Sequence, residues 1–345
     1  MGARTERNEK KKSSWKKKLG IALLIIFIIL IVIAGCGAGY VMSKLGKVNY
    51  VEINEENIEI NEGVDTGYRN IVLLGTDTRS DTLDEGRSDC IIIASINEKT
   101  KEIKLVSVYR DSYLQIPNRG LDKVTHAFAY GGPELSINTL NTNLDLDIKE
   151  FVAINFYVVM DVVDAVGGVN INIDSAELQY INNYIDSINK EEGKNGKHVT
   201  TTGNQTLSGV QALAYARIRY TSGGDYKRTE RMREVLTAVL NKAQKMNIGQ
   251  LNKLANEILP SVNTNISSTE IISLLPQVAS YKVVDSIGWP YEVKGITLDR
   301  WYGVPVTLED NVTRLHKEIF EEADYTPSET VQNISNSIVK KTGYR

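Results

Sequence analysis

Residues 19–43, LGIALLIIFIILIVIAGCGAGYVMS, carry no charged side chain. About 20 apolar residues in an α-helix cross the hydrocarbon core of a bilayer, so this run predicts one transmembrane helix and places the two ends of the chain in different compartments. Residues 1–18 hold eight Lys or Arg against Glu6 and Glu9. That net charge of +6 keeps the N-terminus cytoplasmic by the positive-inside rule. Everything after Lys44 is then expected outside, in a single-pass cell-membrane protein held by a signal-anchor. The residues IAGC, Ile33 to Cys36, also fit the surroundings of a lipid-modified cysteine. Against cleavage there, apolar character continues through GAGYVM beyond Cys36, farther than a signal segment requires. Either route tethers the rest of the chain to the outer face.

The formal charge of the whole chain is −3, so the part beyond the basic tail stands at −9. An acidic exported domain is not a generic nucleic-acid binder, which presents a basic face. Two cysteines, Cys36 and Cys90, cannot build a disulfide framework. Three histidines, His126, His198 and His316, scattered singly, give a zinc site almost no ligands.

Residues 44–65 read as an extracytoplasmic linker. RNIVLLGTDTRS then reads as an apolar strand running into a glycine turn. SDCIIIASINEKTKEIKLVSVYRDS reads as two strands joined across NEKT. The unbroken apolar runs predict a sheet covered on both faces. GPELSINTLNTNL and YVVMDVVDAVG read as helices, and GVNINI as a strand. LSGVQALAYARIR opens with Ser208 and Gln211 at capping-box spacing. Met232, Val235, Leu236, Val239 and Leu240 recur at helical spacing. One α/β domain over 66–323 is expected, followed by a loosely ordered polar tail, 324–345.

Three clusters carry candidate chemistry. GTDTR places Asp77 and Arg79 at the carboxyl end of the first apolar strand, and GRSD places Arg87, Ser88 and Asp89 just before the next. YRD places Arg110 and Asp111 where the hairpin ends. Hairpin geometry sets the start of one strand beside the end of its partner, so Asp89 and Arg110 are expected as neighbours. Asp77 and Asp89 can meet if the first strand joins the same sheet. Carboxylates with arginines around them suit Mg²⁺ with phosphate: magnesium takes one or two carboxylates plus phosphate oxygens and water, and arginine offers a planar bidentate fork. A fourth stretch, YARIRYTSGGDYKRTERMR, crowds Arg217, Arg219, Lys227, Arg228, Arg231 and Arg233 against only Asp225 and Glu230. Arg217, Arg219, Arg228 and Arg231 would close over the same anion.

Each feature has a plainer reading. A single Asp–Arg pair is more often structural than functional. Arg233 is expected to pair with Glu230 at helical spacing. Cys90 reads as an inert core thiol. His126 serves equally as a base or as a packed ring, and Lys123 as a phosphate contact or a solvated charge. No Walker loop is present.

Taken in order, the basic tail, the single span, LLGTDTR, GRSD, SVYRDS, KVTHAFAYGG and LSGVQALAYARIRYTSGGDYKRTERMR resemble the LytR–CpsA–Psr family of cell-wall polymer ligases, over roughly residues 66–245. The resemblance implies an α/β/α sandwich around a central mixed β-sheet, with a long apolar pocket for a polyprenyl chain. It implies a phosphotransferase that moves a glycan polymer of wall teichoic acid or capsule type from a polyprenyl-pyrophosphate carrier onto peptidoglycan. By that resemblance Asp77 and Asp89 bind magnesium, with manganese as the alternative ion. Arg87, Arg110, Arg217, Arg219, Arg228 and Arg231 hold the pyrophosphate, with Arg79 and Lys123 as further contacts. Arg87, Arg110 and Asp111 are the candidate catalytic residues, Asp111 as a general base alongside Asp77 or Asp89. Met232 stands where the family reads Gln, which puts one polar contact at the head group in doubt. Two alternatives share the site: a polyprenyl-pyrophosphate phosphatase, with water as acceptor, and a non-catalytic sensor that binds a lipid-linked or wall polymer. A pure binder has little use for paired metal carboxylates, which favours the enzyme.

Overall fold

A computed structural model describes residues 49–76, 86–222, 224–243, 245, 246, 250, 258–267 and 282–345. The basic tail, the expected membrane span, Cys36, Asp77 and Arg79 lie outside the described residues. Among the described residues no helix is long and apolar enough to cross a membrane.

The chain opens with β1 (Asn49–Tyr50), β2 (Arg69–Thr76), β3 (Ser88–Asn97), β4 (Glu102–Val108), β5 (Tyr113–Ile116), β6 (Gly120–Lys123), α1 (Thr125–Leu144) and β7 (Glu150–Asn155). It continues with α2 (Phe156–Ala165), β8 (Val169–Ile173), α3 (Ser175–Glu192), β9 (Gly203–Leu207), α4 (Gly209–Arg217) and α5 (Gly224–Ala243). Then come β10 (Val262–Thr264), β11 (Lys282–Trp289), β12 (Val293–Thr297), β13 (Trp301–Pro305), α6 (Leu308–Leu315), a π-helical turn (His316–Phe320) and α7 (Glu329–Thr342). Where the sequence predicted one domain over 66–323, the chain forms two compact units. A sheet unit holds Tyr50–Asn155, Asn263–Ile266 and Ser286–Arg345, and a helical unit centres on Phe156–Val262. Local apolar periodicity marks a residue as buried without saying which core receives it, so a division that the chain crosses several times leaves no local trace.

The central sheet is mixed, in the order β1-β10-β7-β2-β3-β4-β11. β2 runs parallel to β7 and antiparallel to β3, and β3 and β4 form the expected hairpin across NEKT. Ile71 to Leu74 and Ile91 to Ile93 are all buried, although alternate residues face opposite sides of the sheet, so both faces are covered. On one face Phe128 and Ile137 of α1, Phe151 of β7 and Trp289 of β11 pack with Val72, Leu74, Ile91 and Ile93 in one core. α1 bends at Gly131 and Gly132, just before Pro133.

Two expectations at the ends of the domain are corrected. The stretch 324–345 is not a loose tail: α7 buries Val331, Ile334 and Ile338 in the sheet unit's core. Those residues recur at helical spacing within a polar sequence; Ser328 Oγ caps the first turn, accepting from the Val331 N–H at 3.2 Å, and Gly343 ends the helix at φ +74°. The stretch 44–65 is more than a linker from residue 50 onward, because Val51, Ile53 and Ile58 pack against the same core. Both segments meet at Asp145, whose carboxylate accepts from Asn61 Nδ2 at 2.6 Å, from the Ser328 N–H at 2.7 Å and from Tyr325 Oη at 2.8 Å.

In the helical unit α4 packs against α2, α3 and α5 beside the β8–β9 hairpin. The Ser208 N–H donates to Gln211 Oε1 at 2.9 Å, as the capping spacing predicted. Gly209 follows because a Cβ there would stand 2.3 Å from the Met160 carbonyl oxygen of α2; its N–H donates to Asp164 Oδ1 at 2.7 Å.

Candidate active site

The β3–β4 register pairs Ile91 with Val108, and two residues further along Asp89 and Arg110 form an ion pair, as the hairpin geometry required. Arg110 Nε also lies 3.7 Å from Asp111 Oδ1, and the Lys123 ammonium stands 2.6 Å from that same oxygen as an ion pair. The result is a row of alternating charges, Asp89, Arg110, Asp111 and Lys123. Their side chains are 12–18% exposed, sheltered but still reachable from solvent. On the other side of β3, Thr76 of β2 lies opposite Ser88 across a register shift. The first apolar strand therefore does join the sheet, and it ends one residue before Asp77, at the level of GRSD. Arg87 is exposed beside this cluster, and Cys90 is half-buried within β3.

β6 and α1 add a constellation that the sequence hinted at only through His126. Asp122 Oδ2 stands 2.8 Å from His126 Nδ1 and accepts from Tyr130 Oη at 2.9 Å. Partial burial of Asp122 opposes its charge, but hydrogen bonds from His126, the Lys123 N–H and Tyr130 outweigh this and hold its pKa below the ordinary carboxylate value. The spacing of Asp122, His126 and Tyr130, four residues at each step, is the signal that could have found it. The Lys123 ammonium sits 5.8 Å from the centre of the Tyr302 ring, and Tyr302 Oη donates to Asp299 at 2.7 Å.

The arginine-dense stretch lies in the helical unit, and its members differ in kind. Arg217 ends α4, half-buried, with its guanidinium 3.8 Å from Glu191. Arg219 is exposed, and Arg228 is buried on α5. Arg231 corrects the expectation that all four face an anion. It is 1% exposed; Nε donates to Glu177 Oε1 at 2.9 Å, Nη1 to the Ile218 carbonyl at 3.0 Å and Nη2 to Thr221 Oγ1 at 2.6 Å. A guanidinium committed on all three nitrogens within the protein is a strut tying α5 to α3 and to the loop after α4. Lys227 pairs with Glu230 at 3.0 Å.

Residues absent from the sequence reading are Glu177, Tyr215 and Glu234. Tyr215 Oη donates to Glu234 at 2.5 Å. Burial of the phenol and this bond raise the Tyr215 pKa, while desolvation of the Glu234 carboxyl end, which turns inward from an otherwise exposed residue, raises its pKa above 4.5. Both residues flank the arginine-dense stretch, and only the packing of α4 against α5 brings them together. Among the described residues no group of three or more His, Cys, Asp or Glu gathers in metal-holding geometry, and Asp77 lies outside them.

A model of the LytR_cpsA_psr family matches residues 39–317. TagT of Bacillus subtilis (strain 168), named a polyisoprenyl-teichoic acid–peptidoglycan teichoic acid transferase, is 33% identical over 310 residues, covering 86% of this chain and 93% of that protein. TagU of Enterococcus faecalis (strain ATCC 700802 / V583), named for the same activity, is 33% identical over 264 residues, covering 74% and 80%. Among solved structures, TagT with bound octaprenyl pyrophosphate lipid matches with a TM-score of 0.52 at 26% identity, over 85% of this chain and 100% of that one. TagT bound to LIIa-WTA matches with a TM-score of 0.55 at 26% identity and the same coverage.

Proposed function

Because the chain belongs to the LytR–CpsA–Psr family, we propose that it is a membrane-anchored extracytoplasmic transferase that moves a teichoic-acid-type glycopolymer from a polyprenyl-pyrophosphate carrier onto peptidoglycan. The observation that carries this reading is the row Asp89, Arg110, Asp111 and Lys123 at the strand ends, in a chain resembling proteins named for that transfer. Such a row gives an anionic head group both planar and point-charge donors beside carboxylate oxygens.

The reaction is phosphoryl transfer, which asks a protein chiefly for positioning and charge neutralisation. A peptidoglycan hydroxyl attacks the phosphorus that bears the polymer and loses its proton to a nearby carboxylate, Asp111 being the candidate. The P–O–P bridge breaks, and polyprenyl phosphate leaves with the electron pair. The Arg110 guanidinium, with Arg87, orients the pyrophosphate, and the Lys123 ammonium supplies a compact second charge. By the resemblance Arg79 is a further candidate anion contact, and Arg217, Arg219 and Arg228 are candidates within the helical unit; Arg231 is withdrawn from that set. The buried oxygens of Asp89 and Asp111 are hard donors and fit Mg²⁺ or Mn²⁺ rather than a soft metal. Asp89 with Asp77 would hold the ion, and when bound it would neutralise charge on the pyrophosphate. No nucleotide is needed, since the donor carries its own activated bond. The apolar polyprenyl chain requires an apolar slot; TagT with bound octaprenyl pyrophosphate lipid supports that expectation for a relative. The run 19–43 is the proposed single-pass anchor, with the N-terminus cytoplasmic.

Release of polyprenyl phosphate, followed with and without peptidoglycan oligomers, separates this reading from its rivals. Release that requires the acceptor supports transfer. Equal release without acceptor means hydrolysis, and none with either means a binder.

A further inference from the structure

The helical unit contains a concave site of its own, with the buried Arg231–Glu177 pair at its floor. A cavity of about 800 Å³ opens between the β8–β9 hairpin and α5. On the hairpin side stand Asn170, Asn172 and Asn204, exposed residues on alternating strand positions, with Asn172 directly opposite Asn204 in the register. On the helix side Lys227, Glu230, Glu234, Ala238 and Asn241 recur at steps of three and four, one stripe of α5. Tyr215 and Glu234 meet within it.

Three features narrow what such a site accepts. The side-chain amides of Asn172, Asn204 and Asn241 make no hydrogen bond to any other described residue, so each offers two donors and an acceptor to a ligand. With Glu177 neutralised by Arg231 and Glu230 paired with Lys227, the lining holds Asp174 and Glu234 against Arg233 and so carries no excess of cations. A phosphate-rich polymer finds no surplus of cations there, whereas hydroxyls find acceptors in the Asp174 and Glu234 carboxylates. Glu234 spends one oxygen on Tyr215 and keeps the other for a hydroxyl donor. Amides, carboxylates and a phenol converging in an open groove form the donor and acceptor set of a neutral sugar.

We propose that this groove is a binding subsite for a neutral glycan. The part of it that identifies the glycan as the peptidoglycan acceptor rests on the function proposed above; the sugar chemistry does not. The anionic donor then binds at the arginines, and the amide-lined groove takes the uncharged sugar backbone of the acceptor.

The test uses the full chain in detergent, with a tetrasaccharide of N-acetylglucosamine as the probe and inorganic pyrophosphate as the anionic control, each followed by saturation-transfer NMR and calorimetry. The proposal predicts sugar binding that weakens roughly tenfold or more in Asn172→Ala/Asn204→Ala, the loss of about two hydrogen bonds. Glu234→Gln, which keeps the shape of the site, should also weaken it, while pyrophosphate binding stays unchanged in both variants. In the transfer assay the double variant should raise the KM for peptidoglycan oligomers and leave the KM for the lipid donor alone. No sugar binding by the folded wild-type chain overturns the proposal, as does equal binding by the double variant or displacement of the sugar by pyrophosphate. Sugar binding that behaves as predicted in a chain that transfers nothing would leave the groove in place and remove the transferase reading. Normal transfer with no sugar binding would do the reverse.

Discussion

Arg231 donates through Nε to Glu177 Oε1 at 2.9 Å, and the two side chains are 1% and 4% exposed. A pair so sealed is costly to break, because removing one partner strands the other charge in a medium that solvates it poorly; such losses run to roughly 3–5 kcal/mol. Arg231→Ala and Glu177→Ala should therefore lower the denaturant midpoint sharply, with any lost activity following lost folded protein. Arg219→Ala, at an exposed position, should leave the midpoint within about 0.5 kcal/mol while weakening donor binding. A stable, folded but inactive Arg231→Ala protein would return Arg231 to the anion site.

Arg110 lies between two carboxylates, and Asp111 also holds Lys123. Lysine in place of Arg110 keeps the charge but loses the planar fork, so Arg110→Lys should retain only a small part of the transfer rate. Lys123→Arg should be tolerated better, since a point charge is the easier of the two to replace. The measurement is kcat/KM for the lipid donor in each variant.

The pH dependence of stability should carry two opposed contributions. Asp122 has a lowered pKa, so its contribution is present above the ordinary value of 3.8 and disappears as pH falls through the folded value. Glu234 has a raised pKa, so its contribution is present below 4.5 and is lost as pH rises through the folded value. Asp122→Asn should flatten the acid limb below about pH 4. Glu234→Gln should flatten the slope on the neutral side of 4.5, where the wild-type carboxyl must ionise in a desolvated place. Denaturant midpoints across pH 2–8 check both signs; an unchanged profile in either variant contradicts its assignment.

Ile338 of α7 is buried in the sheet unit's core. Ile338→Ala should cost about 2–5 kcal/mol, and ending the chain at Pro327 should leave no cooperatively folded sheet unit. Thermal unfolding of either form decides whether α7 is structural, since a loose tail would tolerate both changes.

How much of this was readable in the sequence follows from what each signal encodes. Strands β2, β3 and β4 were legible because unbroken apolar runs and a polar connector dictate a buried hairpin, and that hairpin fixed Asp89 beside Arg110. The capping spacing of Ser208 and Gln211 placed the start of α4 for the same local reason. α7 was missed because three buried apolar residues diluted among polar ones look like a tail until a core exists to receive them. Arg231 was misassigned because charge density along the chain does not say which guanidinium points inward; its partner Glu177 lies 54 residues away. Tyr215 and Glu234 escaped notice for a similar reason, since only packing of α4 against α5 brings them together. His126 had two readings in the sequence, and the geometry joins it to Asp122 four residues earlier.

The central claim is transfer of an anionic glycopolymer to peptidoglycan through a charge-lined site, and the mass of the product tests it most directly. Purified chain, lipid-linked polymer, peptidoglycan oligomers and Mg²⁺ should yield an oligomer heavier by one polymer joined through a single phosphodiester, together with polyprenyl phosphate. Asp89→Ala and the wild type with chelator should both lack that species while remaining folded. Free polymer phosphate in its place, or full product from Asp89→Ala in the presence of chelator, would contradict the account.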